Sequence, residues 1–368
     1  MKIQTYNAGS LGEYVNCIEK IARAYSTDQW KTRPPVLWFR GQNKVTYSLI
    51  PSLYRSGPQI ETTPEYDEAY TKLHYAGDIR MQHYMAKNFH LLKAQPSAKI
   101  EWLEVMQHHG IKTRLLDWSE SAVHSLLFAL ESFFDGKNYD ASYRQQCTPC
   151  VWVLNPGKMN RLIFEKIRQK MAGGEEKKDG LYKQLKADFK LEKDEVEKLF
   201  REYGEFAKYM ETDGTSHIDY IINLSKINEE LLRERESVRK LLEDGTALNP
   251  YYYVLSRIYS DGLLMKNRTL PPLAIVNAYH SERIKAQKGV FTVYPYYMER
   301  ENDKELRKMG ITPEAMEHNE IAQKCLHKIV LSSPQKIAYE LLACGINTSW
   351  LYPEMPIIAN EIENREIL

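Results

Sequence analysis

The segment Gln107-His108-His109-Gly110-Ile111-Lys112-Thr113-Arg114-Leu115-Leu116-Asp117-Trp118-Ser119 lies between two helical patterns and concentrates polar and aromatic side chains. The helix before it is predicted to end at His109, because Gly110 can adopt the left-handed conformation that often follows a helix C-terminus. The next helix is predicted over 119–134, with Ser119 as its N-cap and a broad apolar surface typical of a buried helix. A short polar connection between two helices is a common place for a functional site.

Length, charge and cysteine content restrict the class of protein. The 368 residues can form two average domains, or one domain with a long insertion. The net charge of +1, from 50 basic and 49 acidic residues, gives no global attraction to nucleic acid or membranes. No apolar run approaches the roughly 20 residues that span a bilayer, and the N-terminus lacks the apolar core of a signal peptide. The five scattered cysteines favour a reducing compartment. We therefore expect a cytoplasmic protein with no membrane segment.

Apolar runs and helical periodicity predict an α+β fold. Its central sheet, mixed or antiparallel, is expected to contain strands near 36–40, 151–154, 273–278, 290–294 and 328–331. The helices predicted to flank the sheet span 10–26, 65–90, 97–109 and 119–134. A further short helix begins at Pro334. Residues 1–157 and 251–368 together form one core domain in this prediction.

Residues 158–250 differ in composition from the rest of the chain. Lys and Glu crowd together at helical spacing, as in 191–200, and this pattern is typical of a solvated helical face. We therefore expect a charged helical insertion that projects from the turn Asn155-Pro156-Gly157. Such an insertion is a better candidate for binding a protein partner than for catalysis.

The apolar run 36–39 ends in a charged residue and a glycine, Arg40 and Gly41. Two roles are open for Arg40. It either pairs with a carboxylate in the core, since charged residues are rarely buried without a partner, or it points its planar guanidinium into a cleft. In a cleft it would bind phosphate or a ribose-linked group. Gly41 allows a ligand or another backbone segment to come close.

Histidine and cysteine positions do not predict a metal site. His74, His83 and His90 do not share the four-residue spacing of helical metal ligands. The pair Cys147 and Cys150 precedes a strand, and without a second pair it is weak evidence for zinc. We therefore expect structural roles for these residues and no metal ligands.

Three separated segments resemble the FRG domain family, which is named for a Phe/Tyr-Arg-Gly motif. That motif is Phe39-Arg40-Gly41 here, and the second segment is 107–119 with Ala129 in the following helix. The tail Trp350-Leu351-Tyr352-Pro353-Glu354 is similar to the Leu-Phe-Pro-Asp ending of the family. The third segment comprises Arg283, Ile284, Gln287, Gly289, Phe291 and Thr292.

The resemblance spans about residues 36–360, with the charged insertion as an expansion between the second and third segments. It implies a function in bacteria and their mobile elements, such as conflict or phage defence. ADP-ribosyltransferase folds order an Arg-ended strand, a Ser/Thr strand with its helix, and a late Glu-bearing strand in the same way. By that analogy NAD is the expected substrate. Gln287 stands near the position of the catalytic Glu, with Glu282 nearby. Because a Gln cannot act as a base, the chemistry would pass to Asp117, a histidine or Glu320.

Three functional hypotheses are open. The first is an ADP-ribosyltransferase-type enzyme acting on an NAD-like nucleotide, with Asp117, His109 and Arg40 as catalytic residues. The second is a non-catalytic binding or regulatory module, in which Arg40 or Arg114 forms a salt bridge with Asp117. The third, nucleic-acid binding, fits the aromatic and Arg content but lacks a basic field. Ligand-binding residues expected from the first hypothesis are Phe39, Gly41, Thr113, Arg114, Trp118, Arg283 and Gln287.

The enzyme hypothesis makes a geometric prediction. Arg40, His109 and Asp117 should converge on one open pocket with a volume of roughly a few hundred cubic ångströms. The binding-module hypothesis instead predicts that Arg40 is sealed in a bidentate ion pair with no cavity beside it.

Overall fold

A mixed sheet organises the residues that the computed structural model describes, which are 3–26, 34–55, 99–134, 148–163, 272–275, 282–294 and 315–352. Within these residues the sheet has seven strands in the order β1-β7-β4-β2-β3-β6-β5. β1 and β7 are parallel, and the other neighbouring pairs are antiparallel. The strands are β1 (Gln4–Ala8), β2 (Trp38–Gln42), β3 (Leu115–Ser119), β4 (Cys150–Leu154), β5 (Leu273–Ile275), β6 (Gly289–Val293) and β7 (Leu326–Leu331).

Helices and short 3-10 turns connect and cover these strands. The α-helices are α1 (Leu11–Ala24), α2 (Ser52–Arg55), α3 (Lys99–His108), α4 (Ala122–Leu130), α5 (Glu282–Ala286) and α6 (Pro334–Ala343), and residues 156–163 are also helical. The 3-10 turns are Glu131–Phe133, Met316–His318, Ala322–Lys324 and Thr348–Trp350. These elements confirm the predicted α+β class. The predicted helix 65–90, the part of the insertion over 164–250 and residues 276–278 lie outside the described residues.

The prediction of a polar connection over 107–119 is wrong for its second half, which forms the strand β3. This strand does not show an alternation of apolar and polar residues. Asp117 is the only exposed residue among its five, as expected for a strand inside a covered sheet. The predicted helix start is also displaced by two residues. Ser121 is the N-cap and accepts from the His124 main-chain N at 3.3 Å. The Ser119 hydroxyl instead donates to the Gln287 carbonyl at 2.6 Å.

Apolar side chains cover both faces of the sheet. On one face α1, α4 and α6 pack against strands of the sheet in a single buried cluster, which includes Ile21, Phe39 and Leu126. Trp38 alternates with Phe39 along β2 and therefore points to the opposite face. Burial on both sides makes the centre of the sheet a rigid support for side chains at the strand ends.

Gly41 marks the point where α4 crosses β2. A Cβ atom at this position would lie 1.9 Å from the Ser125 carbonyl oxygen and 2.6 Å from the Ala129 main-chain N. Both distances are far below a van der Waals contact, so only glycine allows the helix backbone to pack directly on the strand. The close approach expected at Gly41 is therefore made by another backbone segment.

His327 on β7 is predicted to make stability depend on pH. Its Nε2 lies 2.8 Å from the Tyr25 hydroxyl, and burial, followed by the charge of Lys158, lowers its pKa from 6.5 to about 4. Between these two values the unfolded chain binds more protons than the folded chain, so stability falls as the pH falls through this window. We expect His327 to contribute a loss of up to roughly 3 kcal/mol in the free energy of unfolding.

Urea unfolding between pH 7 and pH 4 measures this contribution. His327→Gln keeps a partner for Tyr25 but does not titrate, so its stability should depend less steeply on pH than that of the wild type. His318→Gln, which replaces an exposed histidine, is the matched control. Identical pH profiles for the wild type and His327→Gln would contradict the prediction.

Candidate functional site

A large cleft lies where β2 and β3 meet in the middle of the sheet. The ladder between these strands consists of the single pair Phe39 and Ser119, whereas β2–β4 and β3–β6 each pair over five residues. The cleft has a volume of about 1530 Å³, which exceeds the roughly 300–1,000 Å³ that is usual for small-molecule sites. Its lining includes the charged residues Arg40, Arg55, Asp117, Glu131 and Arg283.

Arg40 reaches from β2 to β3 and contacts Asp117. Its Nη1 donates to the Asp117 main-chain carbonyl at 2.6 Å and lies 3.6 Å from the carboxylate oxygen Oδ2. The Arg40 side chain is 15% exposed and that of Asp117 is 59% exposed. The Arg40 Nε has no hydrogen-bond partner among the described residues. Arg40 thus lines the cleft and lies near a carboxylate, but this carboxylate is exposed and does not belong to the core.

Arg40 is a largely buried cation near both a carboxylate and a second arginine. Burial lowers the pKa of Arg40, the nearby charge of Asp117 opposes this effect, and the nearby Arg55 adds to it. An arginine remains protonated in proteins even so, and the result is a desolvated positive charge. The Arg55 Nε donates to the Ile50 carbonyl at 2.8 Å, which holds this second cation at the cleft.

A chain of hydrogen bonds from α3 orients the Asp117 carboxylate. The Gln107 Nε2 donates to Asp117 Oδ1 at 2.5 Å, and the Gln107 Oε1 accepts from the Thr113 hydroxyl. The Thr113 oxygen in turn accepts from the Leu115 main-chain N at 3.1 Å. Because Thr113 is 1% exposed and does not line the cleft, it acts on the site through Gln107. It was expected to bind ligand directly.

Thr113→Val is expected to lower the free energy of unfolding by about 1–3 kcal/mol, since it leaves buried polar groups without this hydroxyl. Thr113→Ser keeps the hydroxyl and should cost clearly less. Urea unfolding of both variants measures the difference. Equal losses in the two variants would mean that the methyl group, and not the hydrogen bond to Gln107, stabilises the segment.

His109 and Arg114 lie outside the cleft lining. His109 is exposed after the end of α3, and its ring packs edge-on against His108 with centroids 4.9 Å apart. The chain turns at Gly110 with a φ of 79°, and His108, the residue before His109, lines the cleft. Arg114 is buried and donates through Nη1 to the Tyr294 carbonyl at 2.6 Å. The predicted convergence on one pocket therefore holds for Arg40 and Asp117 and is wrong for His109.

The third motif forms another wall of the cleft. The side-chain amide of Gln287, the residue after α5, donates to the Leu351 carbonyl at 2.8 Å, which ties the end of α5 to the segment that contains Tyr352. Arg283 stacks over the Tyr352 ring, with its guanidinium carbon 5.1 Å from the ring centroid. Both Arg283 and Gln287 line the cleft, but the Gln287 amide group already makes a structural hydrogen bond.

The remaining candidate residues differ in how they are placed. Phe39 and Gly41 line the cleft beside Arg40. Trp118 also lines it, and its indole Nε1 donates to the Thr292 hydroxyl at 3.1 Å. Glu320 is exposed and lies outside the lining. Glu282 is the first residue of α5.

The sequence-based prediction did not include one wall of the cleft, because the apolar pattern of 119–134 indicates a deeply buried helix. Residues of α4 and the following 3-10 turn line the cleft, and they are Ser125, Phe128, Glu131 and Ser132. The signal that could have found them is two serines spaced seven residues apart in an apolar helix, which places them on one side.

The fold and the cleft define an α+β protein with an arginine–carboxylate pair in the lining of a large cleft. Residues 36–137 match the family model of the FRG domain, and this match confirms the resemblance carried by Phe39-Arg40-Gly41 and 107–119. The chain thus contains an FRG domain. No curated protein and no solved structure was found to match the chain.

The described ranges contain no group of three or more His, Cys, Asp or Glu residues arranged to hold a metal ion. They also contain no helix that is long and apolar enough to cross a membrane. Cys150 is buried in β4, which raises the pKa of its thiol to about 11, whereas Cys147 lies outside the described residues.

Proposed function

We propose that the cleft binds an anionic, nucleotide-like molecule, with NAD as the first candidate, and that the chain is an enzyme of ADP-ribosyltransferase type. The observation that carries this proposal is the buried Arg40 guanidinium, whose Nε has no partner among the described residues, beside the half-exposed Asp117 carboxylate. A planar guanidinium suits phosphate and ribose-linked groups. The volume of about 1530 Å³ is sufficient for a dinucleotide together with part of an acceptor.

The carboxylates of the cleft support the chemical part of the proposal. Transfer of ADP-ribose breaks the bond between a ribose and nicotinamide, and positive charge develops on the sugar, as in glycoside cleavage. A fixed carboxylate stabilises such charge or accepts a proton from the attacking group. Asp117 fits this role, since Gln107 holds one of its carboxylate oxygens at 2.5 Å while the side chain stays 59% exposed.

Consumption of NAD by the purified chain tests the proposal. Asp117→Asn keeps an acceptor for Gln107 but removes the charge, and we expect it to lower the turnover rate about 100-fold or more. Glu320→Gln removes an exposed carboxylate outside the cleft and is expected to leave the rate unchanged. NAD consumption that survives both Arg40→Ala and Asp117→Ala would exclude this site.

A non-catalytic binding or regulatory module is the second candidate, favoured by one observation. Asp117 already accepts two hydrogen bonds, one at its main-chain carbonyl from Arg40 Nη1 at 2.6 Å and one at its side-chain Oδ1 from Gln107 Nε2. A polar network of this kind can specify the packing without catalysing a reaction. The two candidates differ in the fate of the ligand, because a binding module returns NAD of unchanged mass after long incubation.

Partners and setting belong to the same proposal. The charged segment 158–250 is proposed to bind a protein partner. A role in bacterial or mobile-element defence is proposed from the resemblance to the FRG family. The buried free cysteines Cys17, Cys150 and Cys325 support a cytoplasmic location. Nucleic-acid binding stays a weaker alternative, and a shallow dependence of binding on salt would count against phosphate contacts.

A further inference from the structure

Helix α4 and the 3-10 turn after it present one polar face to the cleft. Ser125, Phe128, Glu131 and Ser132 line it, and residues with these spacings lie on the same side of a helix. The carbonyl of Ser125 lies against Gly41, the residue after Arg40. The α4 face and the arginine therefore belong to walls of the same cleft.

Both serine hydroxyls of this face are shielded from solvent and lack hydrogen-bond partners among the described residues. Ser125 is itself 1% exposed. A serine inside a helix commonly bonds the carbonyl four residues earlier. At Ser125 that carbonyl, from Ser121, accepts from the Ser125 main-chain N at 3.2 Å, and the hydroxyl has no such bond. Buried polar groups are rarely left unsatisfied, so each one calls for an explanation.

Glu131 and two aromatic rings complete the face. The Glu131 Oε1 accepts from the Tyr352 hydroxyl at 2.9 Å. The Phe128 and Tyr352 rings meet edge to face, with centroids 6.4 Å apart and an interplanar angle of 86°. This face thus offers hydroxyls that donate and accept, a carboxylate that accepts, and an apolar ring surface.

We propose that the α4 face is a subsite for a hydroxyl-rich sugar ring. The sugar hydroxyls would donate to Glu131 and exchange hydrogen bonds with Ser125 and Ser132, while the apolar face of the ring packs on Phe128. Rotation about χ1 moves a serine hydroxyl between staggered positions and brings it to the ligand. The assignment of the anionic part of the same ligand to Arg40 rests on the proposed function, but the sugar subsite has its own test.

Calorimetric titration with four defined probes tests the subsite. The probes are ribose 5-phosphate, 2-deoxyribose 5-phosphate, inorganic pyrophosphate and ribose itself. We expect the wild type to bind ribose 5-phosphate about tenfold more tightly than the deoxy sugar, the range of one hydrogen bond. The double variant Ser125→Ala/Ser132→Ala is expected to lose this discrimination and to keep its affinity for pyrophosphate. Ser26→Ala, which removes a serine hydroxyl outside the cleft lining, is the control.

The possible outcomes separate the two proposals. If pyrophosphate binds through Arg40 but the two sugar phosphates bind equally, the subsite is wrong and the anion site stands. If pyrophosphate does not bind, but ribose itself at millimolar concentration binds the wild type and not the double variant, the subsite stands and the proposed function fails. If no probe binds, both are wrong. A large loss of thermal stability in the double variant would also overturn the subsite, because it would mean that the hydroxyls have structural partners.

Discussion

The Gly41→Ala variant is expected to lose roughly 3 kcal/mol or more of its free energy of unfolding. The added methyl group would meet the Ser125 carbonyl at 1.9 Å and the Ala129 main-chain N at 2.6 Å. Neither atom belongs to a flexible side chain, so α4 as a whole must move away from β2. That movement would also open the buried cluster around Phe39 and Leu126.

Gly12→Ala is the matched control for this experiment. Gly12 lies in the first turn of α1, and a Cβ atom there would meet nothing within 4 Å. Alanine is the better helix former, so this variant should be at least as stable as the wild type. Urea unfolding followed by circular dichroism measures both changes. A Gly41→Ala protein as stable as the wild type would show that α4 does not pack on β2 as described.

The second large effect is expected at Arg40. Replacing Arg40 with Gln removes a buried cation whose Nε has no partner among the described residues, and a hydrogen bond to a charged group contributes about 1.5–3 kcal/mol. We expect Arg40→Gln to weaken binding of NAD, or of pyrophosphate as a simpler anion, by about 10- to 150-fold. Arg40→Lys keeps the charge but loses the planar fork, so its loss should be intermediate.

Arg23→Gln is the control for charge and composition. Arg23 is exposed on α1 and pairs with Glu19 at 2.6 Å, so its removal should leave binding unchanged. Titration calorimetry with each variant, together with its melting temperature, separates lost affinity from lost folding. Equal affinity in the wild type and Arg40→Gln would exclude Arg40 as a ligand contact.

Much of the fold could be predicted because the central strands are apolar runs. β2, β4, β6 and β7 lie within one or two residues of their predicted positions. β1 was missed because its sequence, Gln-Thr-Tyr-Asn-Ala, is mostly polar and exposed, as an edge strand can be. β3 was missed because its partners β2 and β6 are remote in sequence, and only a three-dimensional arrangement shows that Leu115–Ser119 lies between them.

The site was predictable to a similar degree. Separate motifs indicated that Arg40 and Asp117 lie together, and the structure places them in contact. The choice between His108 and His109 depends on one residue at a helix end, where sequence patterns have an uncertainty of one or two residues. Ser125 and Ser132 were not predicted as site residues, because the sequence of α4 is mainly apolar. Strands β2 and β3 pair at only one position, and this long-range arrangement, which leaves the α4 face open to the cleft, could not be predicted from the sequence.

A crystal structure of the chain soaked with NAD tests the central claim most directly. We expect the phosphate oxygens of NAD within hydrogen-bond distance of the Arg40 guanidinium, and the ligand between β2, β3 and α4. An empty cleft at saturating NAD, or NAD bound at residues outside the cleft lining, would contradict the claim that the chain binds a nucleotide in its central cleft.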